Sequence, residues 1–335
     1  MNTKIFPTKQ DEIPVSELPD IPHWSENYCF EGYDEQSNIG FWLHLGRWPR
    51  NPQLWREQLW VYLPDGSYTS MRGFGSHPVT DGAGGALMKL RCEEPGRWRL
   101  QFEGPTRVSN EMRLKDAPAS YLSDGPFAAL RFNIEFLENQ PAWHFGDVLK
   151  DENWCHFHYE QHGTLKGDIH FQSPGEDWQR FTMDGTGYRD HSRGPRELST
   201  FGGNYWIHGQ FANGRAFSLM HVWKVENGRQ VPAFSKAVVY QDGKIFNAEF
   251  DGIPYVTDRH NPSKSYTLTL KSELDTMVIQ GRIKRSVAQS ADTFMDSFDG
   301  TADSDTGVLF CYEEPTEFIW NGIKGSGHTE RAERT

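Results

Sequence analysis

Residues Gly185 to Arg196 read Gly-Thr-Gly-Tyr-Arg-Asp-His-Ser-Arg-Gly-Pro-Arg. A phenol, a carboxyl, an imidazole, a hydroxyl and three guanidinium groups thus crowd together between glycines and a proline. Left unpaired in a protein interior, each polar group would cost about 1–3 kcal/mol. Two readings follow: a polar cluster at the mouth or floor of a cavity, or an ion-pair knot that pins two sheets together. Asp190 is the residue to single out, set beside His191 and between Arg189 and Arg193. A buried carboxyl without a close cation is pushed toward neutrality and can act as an acid near pH 7, whereas one paired with arginine stays ionised.

About thirty residues upstream, His156-Phe-His-Tyr-Glu-Gln161 alternates. If Phe157 and Tyr159 point into one layer, His156, His158 and Glu160 share the other face. The trio His156, His158 and His162 invites a metal, but no carboxylate spacing completes a ligand set with its supporting shell, so a hydrogen-bonded pair lining a pocket is the expectation and metal is not. Ser192 is not read as a nucleophile, because adjacent residues of an extended chain point opposite ways and no G-x-S-x-G elbow is present. The tryptophans spread from Trp42 to Trp223 read first as core, with one wall available to a hydrophobic ligand.

The elements that must position these groups are strands. Arg97–Glu103 alternates strictly, with Trp98, Leu100 and Phe102 on one side, and Leu130–Phe136 repeats the pattern. Asn213-Gly214 and Asp242-Gly243 mark hairpins. Gly73–Ala86 reads as a glycine-rich loop, 141–153 as a short helix or loop, and everything beyond Gly325 as a polar, fraying tail. Many short strands with frequent turns, 12 Trp, 22 Phe, 32 Gly and no long apolar run give an all-β protein. The division expected is an extended arm over 1–26, a first domain over 27–197 carrying the Asp-His-Ser motif, and a second over 198–335.

A net charge of −12 without a basic stripe speaks against nucleic acid and anionic membranes as partners, and no stretch has the roughly 20 apolar residues of a membrane span. A polar N-terminus without a signal-like apolar region, and four cysteines far apart at 29, 92, 155 and 311, point to reduced thiols in the cytoplasm. Oligomeric state is not read from the sequence.

Tyr188-Arg-Asp-His-Ser-Arg-Gly-Pro-Arg196, with His158-Tyr-Glu-Gln-His-Gly163 upstream, resembles the hydroxyneurosporene synthase (carotenoid hydratase) superfamily, whose relatives include kievitone hydratase and fungal lipocalin-like pericyclases. The resemblance spans about Tyr28 to Glu330 and is most specific in the central motif. It implies two lipocalin-like β domains packed together with a ligand pocket near their junction. In the carotenoid hydratases a His followed two residues later by Trp, and a downstream Tyr-x-Asp, carry the chemistry; the matching positions are His158, Glu160, Tyr188 and Asp190. The chain departs from that pattern at Glu160, an acid in place of Trp, and at Arg193, where many relatives have Trp.

The reaction this suggests is cofactor-free addition of water to, or its removal from, a carbon–carbon double bond of a small hydrophobic isoprenoid. An acid protonates the less substituted carbon, a base aims water at the tertiary cation, and aromatic faces stabilise the charge. Asp190 with Tyr188 is expected to supply or relay the proton and His158 or Glu160 to orient the water, with His191 completing the catalytic set. Trp206, His208, His156, Arg193, Arg196 and Trp154 are expected to bind substrate. The rival readings are an isomerising or pericyclic enzyme acting on a polyene, and a lipocalin-like carrier that returns its ligand unchanged.

Overall fold

A computed structural model describes residues 6–76, 81–110, 126–150, 152–197, 201–291, 297–299 and 309–334. The fold is all-β, as the alternation predicts: two closed eight-stranded antiparallel barrels. The described chain divides into two compact units between Arg196 and Glu197.

The first unit contains β1 (Trp24–Asp34), β2 (Ile39–Trp48), β3 (Asn51–Tyr62), β4 (Ser67–Gly75), β5 (Gly82–Gly84), β6 (Met88–Glu94), β7 (Arg97–Asn110), β8 (Phe127–Glu138), β9 (Trp143–His144), β10 (Phe157–Gln172) and β11 (Gln179–Pro195). Its barrel runs β4-β3-β2-β1-β11-β10-β8-β7 and closes by pairing of β7 with β4. Trp98, Leu100 and Phe102 are buried inside with Leu130, Phe132, Ile134 and Phe136, meeting Tyr28, Phe30, Leu43 and Leu45 from the other side. Their alternate neighbours face outward, the pattern a half-buried sheet demands.

Two expectations for this unit are corrected. The segment 73–86 is not all loop: β4 continues to Gly75 and β5 lies at 82–84, because Glu57 reaches across to accept the Leu87 and Met88 N–H groups at 2.9 and 2.6 Å; residues 77–80 lie outside the described chain. The arm is not simply extended. It carries a short helix, Lys9–Glu12, that places the Glu12 carboxylate inside the barrel, and pairing begins at Trp24.

The second unit contains β12 (Phe201–Phe211), β13 (Ala216–Glu226), β14 (Arg229–Gln241), β15 (Lys244–Asp251), β16 (Ser265–Ser272), β17 (Thr276–Ile283), β18 (Val287–Ala291), β19 (Ser297–Asp299), β20 (Leu309–Trp320) and β21 (Ile323–Arg334). Strands β17 to β12 follow one another in order, β21 and β20 come next, and β20 returns to β17. The Asp242-Gly243 hairpin has both residues left-handed, φ 50° and 69°, matching strand twist. Asn321-Gly322 repeats the device at φ 49° and 76°, and this overturns the frayed tail. The turn sends the chain back as β21, a central strand between β12 and β20. Its polar residues are buried partners: Arg331 donates to both oxygens of Glu314 at 2.7 and 2.8 Å. Among the described residues no helix is long and apolar enough to cross a membrane.

Candidate active site

Strand alternation divides the Gly185–Arg196 motif into two faces. Tyr28 pairs with His191, Cys29 with Asp190 and Phe30 with Arg189. Since Tyr28 and Phe30 belong to the core, Arg189, His191 and Arg193 point into the first barrel, and Tyr188, Asp190 and Ser192 point out of it. On β10, His158 faces Ser192 and Glu160 faces Asp190, so His158, Glu160 and His162 share the outward face.

The inner face is an ion-pair knot. Arg189 donates to Glu12 at 2.7 Å and to Gln161 at 2.7 Å, and Tyr159 donates its hydroxyl to Glu12 at 2.5 Å. Arg193 donates to Glu26 at 2.7 Å and to the Asp11 and Ile13 carbonyls, tying the arm down. His191 lies 3.1 Å from Glu26 and stacks on Tyr28 with ring centroids 4.1 Å apart. Burial, reinforced by the Arg193 charge, pushes His191 down to about 4 against the pull of Glu26, so the neutral ring donates to the carboxylate. Burial would raise Glu26, but the His191 and Arg193 contacts prevail and hold it at about 2.

The outer face is arranged differently. Tyr188 donates to Glu160 Oε2 at 2.5 Å, and His158 Nε2 lies 3.1 Å from Glu160 Oε1 and 3.7 Å from Asp190 Oδ2. Phe145 stacks on the His158 ring at 4.4 Å and Trp143 packs on Phe145 at 4.5 Å. Burial would depress His158, but hydrogen bonds with Cys155 and Glu160 and the charges of Asp190 and Glu160 raise it to about 10; it is an imidazolium at neutral pH. Asp190 accepts the Cys29 N–H at 3.1 Å. Burial, with the Glu160 charge adding, lifts Asp190 to about 6, while His158, Arg196 and that N–H pull the other way. Its side chain is 16% exposed, against none for Glu160. Asp190 is therefore the member of this group that a bound molecule can touch, and it titrates near neutrality.

The site residues expected from the sequence fall into three places. Asp190, Tyr188, His158 and Glu160 come together. His191 and Arg193 are on the opposite face of β11, directed into the barrel and committed to Glu26, which corrects the single cluster expected and shows that neither flanking arginine pairs with Asp190. Arg196 instead donates to Ser192 Oγ at 2.7 Å and to the Trp154 carbonyl, and the Trp154 indole donates to Glu152 at 3.0 Å. His156 precedes β10 and binds the Arg193 carbonyl through its backbone N–H at 2.9 Å. Trp206 and His208 belong to the second barrel, buried and edge to face at 5.3 Å, with His208 stacked on His328 at 6.1 Å.

Glu12, Glu26 and Cys155 were missed by sequence reasoning. Nothing local marks them, since their partners lie far along the chain. In the second barrel, Cys311, Glu313 and Glu330 each offer a ligand atom within 4.8 Å of the others, a grouping the three-histidine reading did not anticipate.

The family described as "Domain of unknown function (DUF7064)" matches residues 8–335. The chain belongs to that family. Among curated proteins no sequence matches. In solved structures the two-barrel fold recurs. An AttH-type protein (NE1406) from Nitrosomonas europaea superposes with TM-score 0.59 and 13% identity, covering 96% of this chain and 98% of that one. CghA gives 0.59 and 11%, covering 98% and 96%. Kievitone hydratase from Nectria haematococca gives 0.51 and 11%, covering 99% and 96%. At these identities the likeness is one of fold.

Proposed function

We propose that this DUF7064 protein is a hydro-lyase that adds water to, or removes it from, a carbon–carbon double bond of a small hydrophobic isoprenoid-type molecule, without a cofactor. The observation that carries the reading is Asp190: a partly exposed carboxyl, raised to about 6 and set beside a buried imidazolium. In the hydration direction the neutral carboxyl gives its proton to the less substituted alkene carbon as the π pair forms the new C–H bond. Water attacks the tertiary cation and returns a proton to Asp190. Dehydration starts from the same protonated form, which protonates the leaving hydroxyl; the carboxylate then removes a β-proton. His158 stabilises the Asp190 carboxylate as it forms, together with the Cys29 N–H, so charge appears where donors already point. Because His158 is already protonated and Glu160 is saturated by Tyr188 and His158, neither serves as the base. Tyr188 and Glu160 are positioning residues. That one protein of this fold is named a hydratase supports the reading.

The test is turnover in deuterated water with wild type and Asp190→Asn. Hydration places one deuteron on product carbon, and the variant should lose about 10²–10⁴-fold in rate. A hydrated product without the label, a ligand that neither gains nor loses water, or a variant within tenfold of wild type would refute the assignment.

A further inference from the structure

Glu313 and Glu314 are neighbours on β20 and are answered differently. Glu314 turns into the second barrel, where Arg331 donates to both of its oxygens. Glu313 turns outward and stands opposite Glu330 across the β20–β21 pair. Like charges directly opposite on paired strands repel, and Glu313 is buried, where a charge is costly to hold. Two residues back along β20, Cys311 is buried on the same face, its Sγ 3.5 Å from Glu313 Oε1. One donor atom from each of Cys311, Glu313 and Glu330 lies within 4.8 Å of the other two.

The side chains around this trio hold it as the outer partners of metal ligands do. Gln289 donates to Glu313 Oε1 at 2.9 Å, and Asn204 donates to Glu330 Oε1. Neutral amides thus fix the orientation of both carboxylates and leave their charge in place. On the other oxygen of Glu313 stands His328, whose Nε2 accepts the Glu314 backbone N–H at 3.1 Å and lies 3.1 Å from Glu313 Oε2. A ring nitrogen carries a proton or a lone pair, never both, so in accepting from Glu314 it brings a lone pair up against the Glu313 carboxylate. A cation at Glu313 turns each of these repulsions into attraction.

We propose that the outer face of the second barrel binds one zinc ion through the Cys311 thiolate and the Glu313 and Glu330 carboxylates, with the fourth position taken by water. A sulfur donor suits zinc, whereas calcium and magnesium take oxygen alone. Bonds of about 2.0–2.3 Å set tetrahedral donors roughly 3.3–3.8 Å apart, so the trio needs to close by about 1 Å or less; the Cys311–Glu313 contact already has that spacing. Glu330 is only half-buried, which gives the ion a path from solvent. In the metal-free protein, burial and the Glu313 and Glu330 charges push the Cys311 thiol well above its usual range, so it keeps its proton. On binding, the S–H bond breaks, the sulfur pair forms the Zn–S bond and the proton leaves to solvent, with nothing oxidised or reduced. All of these residues belong to the second unit, and the proposal is independent of the Asp190 chemistry.

The probe is cobalt(II), which takes zinc's place and absorbs in the near ultraviolet through thiolate charge transfer, titrated into the reduced, metal-free full chain. One equivalent should develop this band, and one equivalent of zinc should abolish it. Cys311→Ser should lose the band, whereas Cys92→Ser, whose thiol lies in the core of the first barrel, should keep it. Gln289→Ala and Asn204→Ala, which remove only the hydrogen bonds that orient the carboxylates, should each weaken zinc by about 10–100-fold. No band in the wild type, or a band that survives Cys311→Ser, would overturn the proposal. The wild-type titration decides even if Cys311→Ser does not fold. Glu330→Gln, at the half-buried position, is then the second variant, and zinc binding as tight as in the wild type would equally overturn the assignment.

Discussion

Arg189 and Asp190 are neighbours in the chain, and both lie largely out of water, yet their surroundings differ in kind. Arg189 points inward to a carboxylate, a phenol and an amide that satisfy it, and its charge is locked. Asp190 points outward to one backbone N–H and an imidazolium 3.7 Å away, and its charge is poised. On the inward face opposite charges are paired, and Glu26 is held at about 2 and His191 at about 4, so neither of these two changes charge near neutral pH. On the outward face burial, with a second carboxylate, Glu160, adding its charge, drives Asp190 toward neutrality. The polar groups of the motif thus divide between the two sides of a single strand, an ion-pair knot on one and the Asp190 group on the other. The groups on the inner side are tied to opposite charges; the outer carboxyl that no arginine holds is the one we propose acts as the acid.

Breaking the inner face should have the largest effect, and on stability alone. Arg189→Met leaves Glu12 buried without its cation and should cost about 3–5 kcal/mol, read by denaturant unfolding, while turnover per folded molecule stays near wild type. A folded Arg189→Met protein with hundredfold lower turnover would show that the two faces are not separate.

The next effect is smaller and separates the carboxylates by sign. Glu26 is lower in the fold than in the open chain, so its stabilisation is complete above about 4.5 and is lost as pH falls toward 2. Asp190 is higher in the fold, so it costs nothing below 3.8, and the cost grows as pH rises to about 6. Glu26→Gln should therefore be less stable than wild type at pH 7 and converge with it in acid. Asp190→Asn should be more stable at pH 7, by on the order of 1–3 kcal/mol, and converge near pH 4. Melting curves across pH check both, and shifts of the same sign would contradict the contrast.

The sequence makes the strand alternation visible, and with it the separation of His158 and Glu160 from Tyr159, because period two needs only local information. It also shows that Asp190 sits among arginines, but not that they turn away: the residue-by-residue flip along β11 makes nearest neighbours in sequence the least able to touch. Glu12 and Glu26 were not legible. Their identity as partners of Arg189 and Arg193 depends on the arm helix and on β1, each more than 160 positions away. The tail after Gly325 was misread for a related reason. Thr329, Glu330 and Arg331 look solvated until β20 and β12 supply partners, and polarity alone does not distinguish a buried ion-pair strand from a free end.

The finest test concerns one hydrogen bond approached from its two ends. Catalysis that begins from the protonated carboxyl should slow as pH rises through about 6, by about tenfold per unit beyond it. Glu160→Gln removes the like charge that helps raise Asp190, so the carboxyl ionises more readily and the fall in rate moves to lower pH. Tyr188→Phe keeps the Glu160 charge but removes the hydroxyl that disperses it, so more of that charge is felt at Asp190 and the fall moves to higher pH. Each variant should cost about tenfold or less at its own optimum, because neither touches the reacting carbon. Rate profiles for the three proteins would show displacements in opposite directions. Shifts in the same direction would mean that Glu160 acts on Asp190 through position rather than charge, and the electrostatic contrast between the two faces would lose its outward half.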